Sequence, residues 1–274
     1  MTDILQFLYL PFLAGLILTG IHAYLGVHVV ERGVIFVDLS LAQIAALGTT
    51  IAVLRGLDPH NPLTYWWSLG FTIVGAAIFA MTRVHRETRI PQEAIIGIVY
   101  AVSAAAAILA MSKATGETEH LKDMLVGNIL SVSSRTVMTT ALLYAGVGAF
   151  HFIFRRKFLA ISMGQEIPNV KLWDFLFYTS FGFVVTSSVA IAGVLLVFSY
   201  LIVPSVGSML FTQSIGKRLA IGWTMGALVS ALGILISFWR DLPTGATIVC
   251  TFGIVLALMA VVWALTKRKE LAAV

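Results

Sequence analysis

Three residues of the apolar run Phe36–Gly48, FVDLSLAQIAALG, are out of keeping with their surroundings: Asp38, Ser40 and Gln43. A carboxylate in hydrocarbon costs about 3 kcal/mol or more unless it faces a protein interior or a water-filled path, so Asp38 reads first as a transport group. On a helix advancing about 100° per residue, Asp38, Ala42, Ala45 and Thr49 share one narrow face, with Ser40, Gln43 and Leu47 well round from it. Small residues beside the carboxylate leave room for an ion. The competing reading puts Asp38 in the first turns of its helix, where it complements the helix dipole. Gln43 equally suits a bond between helices.

Other polar groups invite the same two-sided reading. His22 lies within the first apolar run, where an imidazole can ligate a metal, carry protons, or stay neutral and bonded to a neighbouring helix. Pro204, inside GVLLVFSYLIVPSVGSMLF, removes a backbone donor. The carbonyl so freed, with Ser205 and Ser208, can be satisfied by water or an ion, or can mark a simple kink. Asp241, in the turn RDLPTGAT, can hold a cation at a pathway mouth or merely shape the turn. Glu117, Glu119, His120 and Asp123 lack the fixed spacing of a metal motif, and His60 reads as solvated. Glu31 and Arg32 read as interfacial charges. Nothing matches a phosphate-cradling lysine loop, HExxH, GxSxG, CxxC or a carboxylate pair spaced for acid–base work. The chain is therefore expected not to hydrolyse ATP by itself.

The elements that must position these groups follow from composition. Hydrophobic residues make up 59% of the 274 and charged residues 11%, with mean hydropathy +0.95. That leaves too little polar surface to coat a soluble globule. Apolar runs of about twenty residues recur without period-two alternation, so the spans are helices rather than barrel strands. They are expected at 4–29, 34–54, 64–82, 92–112, 136–154, 172–190, 193–211, 219–239 and 246–266. The tract 172–211, with Gly193 and Pro204, holds either two spans or one broken helix, making eight or nine in an all-α polytopic bundle. Residues 1–274 read as a single membrane domain. The first run has no basic residues before it and no small-residue cleavage site, and so reads as a retained helix rather than a signal peptide. The lone Cys250 supports no disulfide framework.

The formal charge of +5 does not point to nucleic acid, because the basic residues cluster between spans. Alternation from an outside N-terminus puts thirteen of the eighteen Lys and Arg residues inside, with the C-terminus. The segment 112–134 ends in an apolar patch, Met124–Leu130, short enough to be a surface or re-entrant helix. The inside loop 155–171, RRKFLAISMGQEIPNVK, joins a basic cluster to apolar Phe158, Leu159, Ile161 and Met163. A short amphipathic helix there would lie on the membrane surface or dock into a partner.

Five stretches in order, GVIFVDLSLAQIAALG, EAIIGIVYA, LKDMLVGNIL, GVLLVFSYLIVPSVGSML and DLPTGATIV, resemble the metal-ion family of bacterial ABC permeases, the membrane subunits of zinc, manganese and iron importers. The similarity runs from about residue 12 to 265. The resemblance implies the all-helical ABC importer permease type of fold and a homodimer in the inner membrane. It also implies a cytoplasmic ATP-binding-cassette ATPase and a periplasmic or lipid-anchored metal-binding protein as partners. ATP would enter only through the ATPase, no cofactor would be bound permanently, and a divalent metal ion would be the cargo. Asp38 matches the family's pathway aspartate. The histidine usually found four residues later is replaced by Ala42, and Gln43 is turned about 100° away. His22 is then the mid-membrane nitrogen that could join Asp38 on the metal, with Gln43, Ser205 and Asp241 along the pathway. The family's coupling helix corresponds to Gly164–Asn169, so Gly164, Gln165 and Glu166 would meet the ATPase, although Pro168 and Asn169 depart from its pattern. An importer of a metal chelate, siderophore or vitamin, a secondary transporter, and a membrane enzyme are the competing readings.

Overall fold

A computed structural model describes residues 2–58, 61–83, 90–112 and 129–272, and among these residues there is no strand. The helices are α1 (Thr2–Arg32), α2 (Val37–Leu54), α3 (Pro62–Met81), α4 (Gln92–Met111), α5 (Ser134–Ile153), α6 (Arg155–Ser162), α7 (Val170–Ala192), α8 (Val194–Met209), α9 (Ile215–Arg240) and α10 (Thr244–Ala272). A 3-10 turn, Ile129–Ser131, precedes α5. Eight of these helices are long and apolar enough to cross a membrane. The exception besides the short α6 is α8, whose 16 residues reach about 24 Å. The chain is a multi-pass membrane protein, and the expected spans fall on these helices.

The ambiguous tract resolves into two helices broken at one residue. Gly193 ends α7 and caps α8 with φ 75° and ψ 160°, a conformation open essentially only to glycine. Pro204 is carried inside α8. At the start of α3, Pro62 takes the first helical position and Asn61 Oδ1 accepts from Leu63 N at 2.9 Å. His60, Arg86, Arg89, Lys113, Glu117, Glu119, His120, Lys122 and Asp123 lie outside the described residues, as does most of the patch Met124–Leu130.

The chain forms two compact units. One comprises Met1–Val30, Val126–Leu142 and Ile191–Val274, and is built on α1, α8, α9 and α10. Its helices meet through small residues, because lipid supplies no hydrophobic drive and close backbone approach must do the work. Gly26 of α1 lies against the Leu201 carbonyl and Ser205 Oγ of α8, Gly226 of α9 against Thr19, and Gly233 against Ile248 of α10. Tyr200, buried at the centre, shares a 2.6 Å hydrogen bond with Ser230 and presents its ring edge-on to Phe252.

The other unit, Glu31–Leu125 with Leu143–Ala190, centres on α2 packed against α3 and α4. Gly48 of α2 abuts Ser68 and Trp67 of α3, and Ser68 Oγ donates to the Ala45 carbonyl at 2.9 Å. Thr72 of α3 meets Thr186 of α7 at 3.2 Å, over Gly182.

A methyl group added at Gly26 would run into the Leu201 carbonyl and Ser205 Oγ, whereas one at Gly20 meets nothing within 4 Å. Gly26→Ala is expected to lower stability by about 1–3 kcal/mol or more, with Gly20→Ala neutral or slightly favourable. Thermal unfolding of the two variants in detergent checks the pair.

Candidate functional site

The first turn of α2 exposes backbone N–H groups that have no partner within the helix. Two carboxylates take them. Asp38 Oδ1 accepts from Leu39 N at 2.7 Å, and Glu93 Oε1, from the first turn of α4, accepts from Phe36 N at 2.9 Å. Asp38 is only 2% exposed. Glu93 Oε2 and the hydroxyl of fully buried Ser40 have no hydrogen-bond partner among the described residues. Unpartnered buried oxygens are what a cation would relieve. Gln43, further along α2, is half-buried. Dipole complementation, the competing reading of Asp38, describes the bond of one of its oxygens.

The same unit holds a second polar centre. Asp174 of α7 is 1% exposed and is shared by two guanidiniums: Arg32 Nη1 donates to Oδ1 at 2.9 Å, and Arg83 Nη1 donates to Oδ2. Arg32, at the end of α1, also donates from Nε to Ser162 Oγ at 3.0 Å and lies 3.8 Å over the Phe177 ring. Its side chain is 5% exposed. The expectation that Arg32 is an interfacial charge is thereby corrected: its charge is drawn inward by Asp174. Reading the sequence did not single out Asp174 or Glu93. The signal for Asp174 was a carboxylate within the apolar run of α7; for Glu93, which opens α4, spacing held none.

An aromatic shell holds α6 onto this centre. Phe158 stacks on His151 with centroids 4.4 Å apart and packs edgewise on Trp173 and Phe150. His151 Nε2 is bonded to Ser180 at 2.8 Å. Phe158, Ile161 and Ser162 are buried while Arg155, Arg156 and Lys157 are exposed, so the amphipathic helix expected in this loop is present. It lies at Arg155–Ser162, and Gly164–Asn169 is a turn rather than a helix. The reason is local. Gly164 has φ 74°, and the bonds Gly164 N to Ile161 O at 3.0 Å and Gln165 N to Ala160 O at 2.9 Å close a Schellman motif. Gly164, Gln165 and Glu166 are exposed just beyond it.

The remaining candidates belong to the first unit. His22 is fully buried and its Nδ1 bonds the Leu18 carbonyl at 2.8 Å. Ser205 Oγ donates to the Leu201 carbonyl at 2.9 Å and sits against Gly26, one helical turn from His22. Ser208 Oγ donates to the Ser205 carbonyl at 2.7 Å. Asp241 is an exposed residue at φ 51° that ends α9, with its N–H on the Ser237 carbonyl. Among the described residues, no three His, Cys, Asp or Glu side chains are grouped to hold a metal.

A family model described as the ABC 3 transport family matches residues 4–264. The manganese transport system membrane protein MntC of Listeria monocytogenes is 24% identical over 231 residues, 80% of this chain and 81% of that protein. The chelated iron transport system membrane protein YfeC of Yersinia pestis is 26% identical over 197 residues, 67% of this chain and 66% of that protein. Among solved structures, PsaBC from Streptococcus pneumoniae in complex with Fab has TM-score 0.75 at 22% identity, covering 94% of this chain and 93% of the matched one. That is a likeness of fold.

Removing the ring that pins α6 should loosen it. Phe158→Ala is expected to cost about 3–5 kcal/mol locally and to speed tryptic cleavage after Arg155–Lys157, read by timed proteolysis of the protein in detergent.

Proposed function

The chain belongs to the ABC 3 transport family, and on that premise we propose that it is the membrane-spanning permease of an importer moving a divalent transition-metal ion across the bacterial inner membrane. The observation that carries this reading is the buried carboxylate Asp38 at the head of α2, with Glu93 beside it. Asp38 compensates the charge of the passing ion, and ligation by few groups lets the ion leave again. Oxygen donors at this end of α2, with alanine where the family's histidine would stand, suit manganese or iron better than zinc. The relatives in Listeria and Yersinia are named for manganese and for chelated iron transport.

The chain transports, and hydrolysis belongs to a separate cytoplasmic ATP-binding-cassette ATPase. That ATPase grips the exposed turn Gly164, Gln165 and Glu166. A periplasmic or lipid-anchored binding protein delivers the ion to the outer mouth, where Asp241 stands, and His22, Gln43 and Ser205 lie along the route. Two copies of the chain form the permease, each a single functional domain set in lipid, and alternate between outward and inward openings. The excess of basic residues on one side orients the C-terminus inward when α8 counts as a crossing.

A second reading is favoured by Ala42 and by the chelated-iron relative: the same architecture carrying a metal chelate. Uptake of the intact organic complex separates it from the first.

In cells depleted of manganese, Asp38→Ala is expected to reduce manganese uptake at least about tenfold, a transition-state loss near 1.4 kcal/mol or more, with membrane insertion unchanged. Uptake at the normal rate would remove Asp38 from the pathway. Ala42→His places an imidazole one turn from Asp38 and is expected to shift competition between zinc and manganese toward zinc, measured by metal analysis of the cells.

A further inference from the structure

The centre on Asp174 has the wrong charge balance for a simple clamp. Two guanidiniums face one carboxylate, and Arg32 also meets the hydroxyl of Tyr178. Buried ion pairs stabilise a fold poorly compared with apolar packing, but they discriminate sharply between arrangements of the groups that make them. Here the groups come from four places in the chain: Arg32 ends α1, Arg83 follows the C-cap of α3, Ser162 ends α6, and Asp174 lies in the second turn of α7.

Sequence position gives this centre two neighbours. Ser162 is two residues before Gly164 and four before Glu166, so any displacement of that turn pulls on α6. Phe158 and Ile161 seat α6 against α7, and Ser162 Oγ both receives the Arg32 Nε–H and donates to the Phe158 carbonyl at 2.9 Å. On the other side, Arg32 leads through Gly33–Phe36 into α2, six residues before Asp38. Gly33 has φ 66° and the Val37 N–H bonds the Val34 carbonyl at 3.1 Å, so this link is a tight turn rather than a slack loop. A guanidinium fork fixes direction as well as distance, which makes Arg32 a rigid strut between α6 and α7.

We propose that Arg32, Ser162, Asp174 and Arg83 form the linkage that passes movement of the Gly164–Glu166 turn to the α1–α2 corner and so to Asp38. Asp174 is the fixed anchor. As α6 shifts, the carboxylate changes its share between Arg32 and Arg83, and the α1–α2 corner follows Arg32. These four are positioning residues, none touching the ion. The inference rests on the reading that the ATPase docks at Gly164–Glu166.

The test uses the complete transporter with its ATPase, reconstituted in liposomes, with manganese(II) as the probe and both ATP hydrolysis and uptake measured. Ser162→Ala and Arg32→Lys keep size or charge but remove the strut's geometry, while Asp174→Asn removes its anchor. Each is expected to retain ATP hydrolysis within about twofold of the parent while manganese moved per ATP falls at least about fivefold. Normal uptake per ATP in Ser162→Ala and Arg32→Lys would overturn the linkage, even if Asp174→Asn fails to fold. Equal loss of hydrolysis and uptake in both would also overturn it, because that is the mark of damaged assembly. A Gln165→Ala, Glu166→Ala double variant that binds the ATPase as tightly as the parent would instead overturn the docking reading, and the linkage with it.

Discussion

Inside a layer of hydrocarbon a polar group has only the protein to bond to, and this single constraint organises the molecule. Hydroxyls of Thr19, Thr50, Thr72, Ser205 and Ser230 turn back onto the carbonyl one turn earlier in their own helix. The acids cannot do this, since a carboxylate only accepts. Asp38 and Glu93 therefore go where a helix leaves donors unused, at the start of α2, and Asp174 draws two arginines out of the interface. Glu93 and Asp174 in this way each recruit a second element, whereas Asp38 bonds within its own helix.

Close packing imposes the complementary rule. With Ser68 Cα and the Trp67 carbonyl against Gly48, and the Leu201 carbonyl against Gly26, the helices touch backbone to backbone, leaving no slack for independent sliding. The backbone turns with positive φ at glycines between these packed segments: Gly33, Gly56, Gly164 and Gly193.

Much of the fold was legible in the chain because hydropathy states it directly: about twenty apolar residues make a crossing, wherever they pack. Even the break in 172–211 was marked by Gly193, although whether one helix or two resulted depended on a dihedral angle. Asp38 was legible for the same reason, as an acid in the wrong solvent. Its partner Glu93 was not, because the bond to Phe36 joins residues 57 apart and no local pattern foretells it. Arg32 was misjudged on the same grounds. At a helix end next to glycine it has the address of an interfacial charge, and only the approach of Asp174, 142 residues on, reverses that. The amphipathic helix was foreseen from a basic cluster joined to apolar residues, yet the turn that ends it sits where the family's pattern suggested helix, because Gly164 closes the Schellman motif there.

Gly193 carries a mechanical meaning beyond chain reversal. An unbroken helix behaves as a torsion rod, delivering at one end any twist applied at the other. A residue in a glycine-only conformation interrupts that rod, so α8 starts afresh at Gly193 instead of continuing the winding of α7.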